Sequence, residues 1–274
     1  MRSIESVDAA FFDLDKTVIA KASIVAFGRP LRREGLITRR TIVRAVTQQL
    51  IFLQFGADEQ RLAKVRDSML ALTKGWDREQ VASIVRETLI DTIEPLIYAE
   101  ALEVMESHRQ AGDRIYIVSA APEEIVTPLA ELLGVDGSLA SRANLDEHNR
   151  YTGTMEFYCY GPNKAIAINE LAERTGIDLA RSSAYSDSAT DIPMLEIVGH
   201  PYAVNPDKQL TLEAGERGWE ILEFTKPVRL RDRMTIRAPI VTGVIALGGV
   251  LLLGLLRNAR RHNKSARPRS RASL

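Results

Sequence analysis

The sequence predicts an α/β protein in which a parallel β-sheet is covered by helices, with an all-helical insertion near the N-terminus and an apolar helix near the C-terminus. Short apolar runs alternate with helical patterns, which is typical of a parallel sheet. A long stretch of helical periodicity separates the first predicted strand from the second. The chain of 274 residues also exceeds the length that one ordinary core requires.

The composition describes a globular protein without a bulk electrostatic preference. Hydrophobic residues make up 45% of the chain, and 36 acidic residues balance 36 basic residues. This balance provides no field that would attract nucleic acid, so no nucleic-acid partner is predicted. The one cysteine, Cys159, excludes an intrachain disulfide and is compatible with a reducing compartment. A catalytic role for its thiol is not favoured.

The first strand and the insertion are predicted from residues 8–106. The run DAAFFDL, residues 8–14, is too short for a helix and is bounded by charged residues, which favours a buried strand. Helical periodicity follows, with Thr38 and Asp77 as predicted N-caps. We therefore assign residues 23–106 to a helical insertion, and residues 1–22 and 107–225 to the α/β core.

The second half of the core alternates between strands and helices. The helix after the second strand has proline and acids at its start and Gly134 at its end, as helix termini prefer. In chain order the predicted elements are the strand RIYIVSA (114–120), the helix PEEIVTPLAELLG (122–134), the extended segment GTMEFYCYG (153–161), the helix PNKAIAINELAERTG (162–176), and the strands SSAYSD (182–187) and PYAVNP (201–206).

The C-terminal region predicts attachment to a membrane. Residues 226–237 form a basic linker, and residues 238–256 contain no charge over 19 residues, close to the ~20 that span a bilayer as a helix. Residues 257–274 carry seven Lys or Arg and no acid, which predicts a disordered tail that can contact anionic lipid. A re-entrant segment and a buried core helix are the alternatives. Because residues 1–15 contain no secretory signal, the large N-terminal part is expected in the cytoplasm.

Polar side chains cluster where the predicted strands end. Asp13 and Asp15 follow the first strand, Ser119 ends the second, and Asp187 and Asp191 follow the third. Ligands of open parallel sheets bind beyond the carboxyl ends of the strands, so these side chains are expected in one pocket.

Gathered carboxylates require a positive charge among them. Two unit charges about 4 Å apart repel by about 4 kcal/mol at an effective dielectric near 20. Mg²⁺ suits a site of carboxylate oxygens that also takes a substrate phosphate, and the sequence has no His or Cys cluster with zinc-site spacing. Lys164, at the start of its helix, is the predicted fixed cation.

Four of these segments together resemble the motifs of the haloacid dehalogenase-like hydrolases. They are DLDKT, the strand end VSA, Lys164 ahead of its helix, and SDSATD, in that order across residues 9–224. The insertion after the first motif resembles the helical cap of the phosphoserine phosphatase-like branch, subfamily IB. The resemblance implies a Rossmann-like core, a helical cap and a Mg²⁺-dependent phosphomonoester phosphatase.

The resemblance also implies roles for individual residues. Asp13 would be the nucleophile that forms an aspartyl-phosphate, and Asp15 the general acid and base. Thr17, Ser119 and Lys164 would bind the phosphoryl oxygens. The residues implied in metal binding are Asp13, Asp15, Asp187 and Asp191.

The sequence indicates the substrate less clearly than it indicates the type of reaction. Phosphoserine phosphatases of this branch have an acid where this chain has Ala22, and glycines where it has Ala120 and Ala121. Arg66 resembles the cap arginine that meets the substrate carboxylate. We expect a small phosphomonoester, or a lipid phosphate brought close by the C-terminal segment. The alternatives are a phosphoserine phosphatase of serine biosynthesis and a membrane-tethered scaffold on an inactive phosphatase fold.

Overall fold

Seven strands form one sheet in the computed structural model, which describes residues 7–37 and 70–225. In chain order they are β1 (Ala9–Asp13), β2 (Arg114–Pro122), β3 (Gly137–Leu145), β4 (Tyr151–Phe157), β5 (Ser183–Ser186), β6 (His200–Val204) and β7 (Glu220–Leu222). Their spatial order is β4-β3-β2-β1-β5-β6-β7, and every neighbouring pair is parallel except β3 and β4. The predicted α/β fold with a parallel core is confirmed.

Helices connect these strands. They are α1 (Ser23–Ala26), α2 (Gly28–Arg33), α3 (Arg78–Ile93), α4 (Ala99–Ala111), α5 (Glu123–Leu133), α6 (Pro162–Thr175), α7 (Ile192–Glu196) and α8 (Lys208–Arg217). The predicted cap Asp77 accepts a hydrogen bond from the Gln80 N–H at 2.9 Å and starts α3. Gly134 ends α5 in the left-handed conformation that glycine adopts without steric cost.

The centre of the sheet is buried on both faces. Every residue of β1 is buried, and its consecutive side chains point to opposite faces. Phe11 stacks on Tyr116 with ring centroids 5.7 Å apart, while Phe12 stacks on Tyr185 at 4.4 Å. β1 is therefore fixed from both sides, which fixes the position of the residues that follow it.

The two ends of the insertion lie side by side next to the loop that follows β1. The Ala20 N–H donates to the Leu96 carbonyl at 2.8 Å, and the Tyr98 N–H donates to the Val18 carbonyl at 2.9 Å. α4 then runs without a break from Ala99 to Ala111, so the boundary predicted at residue 106 falls inside one helix.

The start of α3 is bonded to the core just after β2. Arg78 contacts Glu123 at 2.7 Å and Glu124 at 2.9 Å, on the first turn of α5. The backbone carbonyl of Trp76 accepts a hydrogen bond from the Tyr151 N–H at 3.0 Å, on β4. This helix of the insertion is thus attached to the β3–β4 hairpin and to α5.

The C-terminal predictions fall beyond the described part of the chain. Within residues 7–37 and 70–225, no helix is both long enough and apolar enough to cross a bilayer. The predicted linker (226–237), apolar helix (238–256) and basic tail (257–274) lie outside the described residues, as does Thr38. The apolar helix of the predicted fold therefore has no support from the structure.

Candidate active site

A tight loop follows β1 and presents its polar residues beyond the end of the sheet. Asp13 is the last residue of β1, and Lys16 has a φ of 66°, which turns the chain back on itself. The N–H groups of Val18 and Ile19 both donate to the Leu14 carbonyl at 3.0 Å. Asp13 and Asp15 are therefore held on a short, hydrogen-bonded turn.

Lys164 joins two of the predicted acids. Its Nζ atom lies 2.5 Å from Asp13 Oδ1 and 2.6 Å from Asp191 Oδ2, and all three side chains are buried. Gly161, with a φ of 55°, precedes α6 and places Lys164 in the first turn of that helix. Asp191 Oδ2 also accepts a hydrogen bond from Ser186 Oγ at 2.6 Å. One ammonium thus links β1 to the segment after β5.

Burial and the neighbouring opposite charges shift the pKa values of these groups in opposite directions. Burial opposes a charged Lys164, but the carboxylates of Asp13 and Asp191 outweigh it and raise the lysine pKa above its ordinary value. Burial also raises the pKa of Asp13, and Lys164 partly offsets that effect. Burial raises the pKa of Asp187 to about 6, with Lys16 acting in the opposite direction. Lys164 is a fixed cation in a pocket short of positive charge.

Asp15 is oriented by the start of α1. The Ser23 N–H donates to Asp15 Oδ1 at 2.8 Å, which fixes the orientation of the carboxyl group. Burial raises the pKa of Asp15, and the bond from Ser23 partly counteracts it. A carboxyl group with a raised pKa is suited to donate a proton.

The two predicted hydroxyl groups lie at the same end of the sheet. Thr17 is fully buried, and its Oγ1 atom has no hydrogen-bond partner among the described residues. Ser119 is the residue after Val118, which pairs with Asp13 in the β1–β2 register, and its Oγ accepts a bond from the Ala121 N–H at 3.1 Å. Because buried hydroxyls normally have partners, the orphaned Thr17 hydroxyl is suited to a ligand oxygen.

The remaining predicted acid, Asp187, follows β5. Its Oδ2 atom lies 3.7 Å from the exposed Lys16 ammonium, and its carbonyl accepts the Asp207 N–H at 2.8 Å. The structure places Asp13 and Asp15 beyond the carboxyl end of β1, and Asp187 and Asp191 beyond the carboxyl end of the neighbouring strand β5.

The donor set fits a divalent cation. Within the described part of the chain, the buried Lys164 ammonium contacts the carboxylates of Asp13 and Asp191, and it also acts electrostatically on Asp15 and Asp187. Acidic groups therefore outnumber the cations of the pocket, Lys164 and the exposed Lys16. Among the described residues, no group of three His, Cys, Asp or Glu side chains is already arranged to hold a metal ion. Mg²⁺ does not need such a cage, because it keeps several waters and binds through one or two carboxylates plus substrate oxygens.

Cys159 adjoins this pocket, where Lys164, Asp191 and Asp13 are near enough to interact electrostatically with its thiol. Cys159 is fully buried, and burial raises the pKa of its thiol to about 11, so the thiol is unreactive. Arg66 lies outside the described residues. A groove of about 480 Å³ lies between α5 and α6 and contains none of the predicted site residues.

Several residues of the pocket were not predicted from sequence. Ser186 holds Asp191, Ser23 holds Asp15, and Lys16 faces Asp187. Lys16 and Ser186 directly adjoin predicted acids, so proximity along the chain could have identified them. Ser23 lies eight residues from its partner, and only the folded loop brings the two together.

The fold and the pocket define a class of protein. Carboxylates and a buried lysine at the carboxyl end of a parallel sheet are suited to binding and transferring a phosphoryl group. The family model of the haloacid dehalogenase-like hydrolases matches residues 10–196, and the chain belongs to that family. The predicted family and the prediction that the chain is a hydrolase are confirmed.

Curated proteins of Streptomyces and Mycobacterium are similar over most of the chain. The inhibition of morphological differentiation protein of Streptomyces azureus is 51% identical over 82% of this chain and 82% of its own length. A probable phosphatase of Mycobacterium tuberculosis is 46% identical over 91% of this chain and 89% of its own length. A phosphoserine phosphatase of the same species is 33% identical over 90% of this chain and 80% of its own.

Solved structures share the fold. A protein of unknown function from Bordetella pertussis matches with a TM-score of 0.70 and 27% identity, over 79% of this chain and 98% of its own. A phosphoserine phosphatase structure, described as a phospho-aspartyl intermediate analogue, matches with a TM-score of 0.58 and 20% identity, over 85% of this chain and 100% of its own. At that identity the second likeness shows the fold alone.

Proposed function

We propose that the protein is a Mg²⁺-dependent phosphomonoester phosphatase that acts through an aspartyl-phosphate on Asp13. The observation that carries the proposal is the 2.5 Å contact between Lys164 Nζ and Asp13 Oδ1. It fixes one carboxylate oxygen and leaves Oδ2 to attack. It also places a permanent cation beside the site where negative charge accumulates during phosphoryl transfer.

The first half-reaction transfers the phosphoryl group to the enzyme. Asp13 Oδ2 forms a bond to phosphorus while the bond from phosphorus to the substrate oxygen breaks. Asp15, held through Oδ1 by the Ser23 N–H, gives its proton to the departing oxygen through Oδ2. The products are an alcohol, an aspartyl-phosphate and an ionised Asp15.

The second half-reaction restores the enzyme. Ionised Asp15 takes a proton from water, and the water oxygen attacks phosphorus while the bond from phosphorus to Asp13 breaks. Orthophosphate leaves, Asp13 is again a carboxylate and Asp15 is again protonated. Lys164 and the hydroxyls of Thr17 and Ser119 bind phosphoryl oxygens in both steps.

The metal would be held by the acids of the pocket. We assign it to Asp13, the Asp15 carbonyl and Asp187, with Asp191 as a further ligand or as the residue that orients Lys164. Mg²⁺ there would offset the charge of the carboxylates and of the phosphoryl oxygens.

The proposed substrate is a small phosphomonoester or a lipid phosphate. One curated relative is named a phosphoserine phosphatase. Ala22, however, provides no acid to hold an ammonium group, which argues against phosphoserine as the main substrate. The lipid alternative and the attachment to a membrane rest on residues 238–256 of the sequence, and the cytoplasmic placement of the catalytic part is a separate expectation from residues 1–15.

The test is a hydrolysis screen of purified full-length protein with Mg²⁺ or with EDTA. The substrates include phosphoserine, lysophosphatidate and other soluble and lipid monoesters, and Asp13→Asn is the control. We expect Mg²⁺-dependent orthophosphate release that Asp13→Asn abolishes. Turnover of soluble monoesters alone would exclude the lipid part of the proposal.

A scaffold on an inactive fold is the alternative from another class. It predicts that Asp13→Asn leaves the cellular role intact, whereas an enzyme loses that role. The presence of every acid that the proposed reaction needs favours an enzyme over a scaffold.

A further inference from the structure

The phosphate-binding end of β2 is irregular, and one buried side chain occupies the irregularity. In the β2–β3 pairing Ser119 lies opposite Ala140, but the next pair joins Pro122 to Ser141, so two residues of β2 leave the ladder. Those residues are Ala120 and Ala121. A bulge of this kind changes the direction of a strand next to a site.

Ser141 bonds to two of the three chain segments that supply phosphate ligands. Its Oγ donates to the Ala120 carbonyl at 2.8 Å and accepts a hydrogen bond from the Cys159 N–H at 3.0 Å. Ala120 directly follows Ser119. Cys159 lies two residues before Gly161, where the chain turns into α6 and reaches Lys164. One hydroxyl therefore connects the Ser119 loop to the segment that carries Lys164.

The position of Ser141 suits this connection. The residue is 1% exposed, so water does not replace its hydrogen bonds readily. The loop it holds has alanines at 120 and 121, so it lacks the conformational freedom that glycine would allow. The hydroxyl fixes the Ala120 carbonyl directly. Through the Cys159 N–H it also fixes the backbone that leads into α6, which carries Lys164.

We propose that Ser141 is a positioning residue that sets the relative placement of Ser119 and Lys164, two of the three groups that bind the phosphoryl oxygens. This inference rests on the proposed function. Ser141 acts through the two backbone groups that it bonds.

Replacement of Ser141 should weaken binding of the phosphoryl group in substrate and product alike. We expect Ser141→Ala and Ser141→Cys to lower kcat/KM by about 10- to 100-fold, the effect of misplacing catalytic groups by about 1 Å. The inhibition constant of orthophosphate should rise in parallel. Cysteine fills the space with a somewhat larger atom but forms only weak hydrogen bonds, so it separates the loss of the hydrogen bonds from the opening of a cavity.

Ser138→Ala is the matched control. Ser138 lies three residues earlier on β3 and its hydroxyl contacts Thr127 at 3.3 Å, away from both loops. We expect its kcat/KM and orthophosphate inhibition to equal those of the wild type. Thermal melting of all variants measures any general loss of stability.

The experiment combines steady-state kinetics with orthophosphate binding by calorimetry in the presence of Mg²⁺. Weaker orthophosphate binding in both Ser141 variants, with Ser138→Ala unchanged, supports the proposal. A lower melting temperature with unchanged orthophosphate binding overturns it. If the wild type binds orthophosphate but hydrolyses no monoester, the proposed function fails and the binding data still decide the role of Ser141; if it does neither, both are overturned.

Discussion

Lys164 and Asp13 are 151 residues apart in the chain, yet Lys164 Nζ and Asp13 Oδ1 lie 2.5 Å apart inside the protein. The same ammonium holds Asp191 at 2.6 Å. An ion pair buried to this degree needs both partners, because removal of one leaves an uncompensated charge. The contact thus joins the proposed nucleophile at the end of β1 to Asp191 on the segment after β5.

Replacement of Lys164 tests the role of this cation. Lys164→Met should lower kcat/KM by at least about 100-fold, because a fixed donor to the phosphoryl oxygens is lost. Lys164→Arg should not restore activity, because a planar guanidinium cannot reproduce a point charge between two carboxylates. Steady-state kinetics check both variants, and circular dichroism checks their folding. Near-normal turnover by Lys164→Met would contradict the assigned role.

Asp15→Asn separates the two half-reactions. Without a proton donor, turnover of alkyl phosphates should fall below detection. p-Nitrophenyl phosphate has a leaving group that needs little protonation, so it should still phosphorylate Asp13. The absent base should then make the phosphoenzyme accumulate, and rapid-quench kinetics should show a burst of nitrophenol followed by very slow release. A variant that hydrolyses alkyl phosphates at the wild-type rate would exclude Asp15 as acid and base.

Asp187→Asn tests the metal site. Loss of this carboxylate should raise the Mg²⁺ concentration that is needed for half-maximal binding by about 10- to 100-fold. Asp178→Asn is the control, because Asp178 caps the turn that precedes β5, at the opposite end of that strand. Calorimetric titration with Mg²⁺ measures both variants without reference to turnover. Equal Mg²⁺ affinity in the two variants would exclude Asp187 as a metal ligand.

Alanine substitutions at two glycines should change the stability of the protein in opposite directions. A Cβ on Gly199 would lie 1.8 Å from the Ala180 carbonyl oxygen, so Gly199→Ala must shift the backbone and should destabilise the protein by about 1–3 kcal/mol. Gly215 is exposed within α8, and a methyl group there would face open space. Gly215→Ala should therefore stabilise the protein by about 0.5–1 kcal/mol. Chemical denaturation measures both changes, and equal effects would contradict the packing described around Gly199.

The sequence predicts the strands with clear apolar character and misses β3 and β7. β1, β2 and β5 are predicted because buried central strands need apolar runs, and those runs end in the polar residues of the pocket. β3, with the sequence GSLASRANL, has little apolar character and is absent from the prediction, and β7 contains only three residues. Pairing with neighbours, which sequence does not display, stabilises both strands.

The residues of the pocket also divide into those that the sequence indicates and those that only the folded structure reveals. The acids and Lys164 are found because strand ends converge and because their order resembles a known family. Ser141 and Ser23 carry no comparable signal, since their partners are brought close only by folding. Such contacts depend on tertiary structure, and the spacing of residues along the chain does not reveal them.

Detection of a phosphorylated Asp13 tests the central claim most directly. Full-length enzyme is mixed with ³²P-labelled p-nitrophenyl phosphate and Mg²⁺ and quenched in acid, and the label bound to the protein is counted. In a parallel sample borohydride reduces the aspartyl-phosphate to homoserine with release of the phosphate, and mass spectrometry after digestion identifies the aspartate that was converted. The account predicts label on Asp13 in the wild type, more label in Asp15→Asn, and none in Asp13→Asn. Full turnover with no labelled enzyme, or with label on another residue, would contradict it.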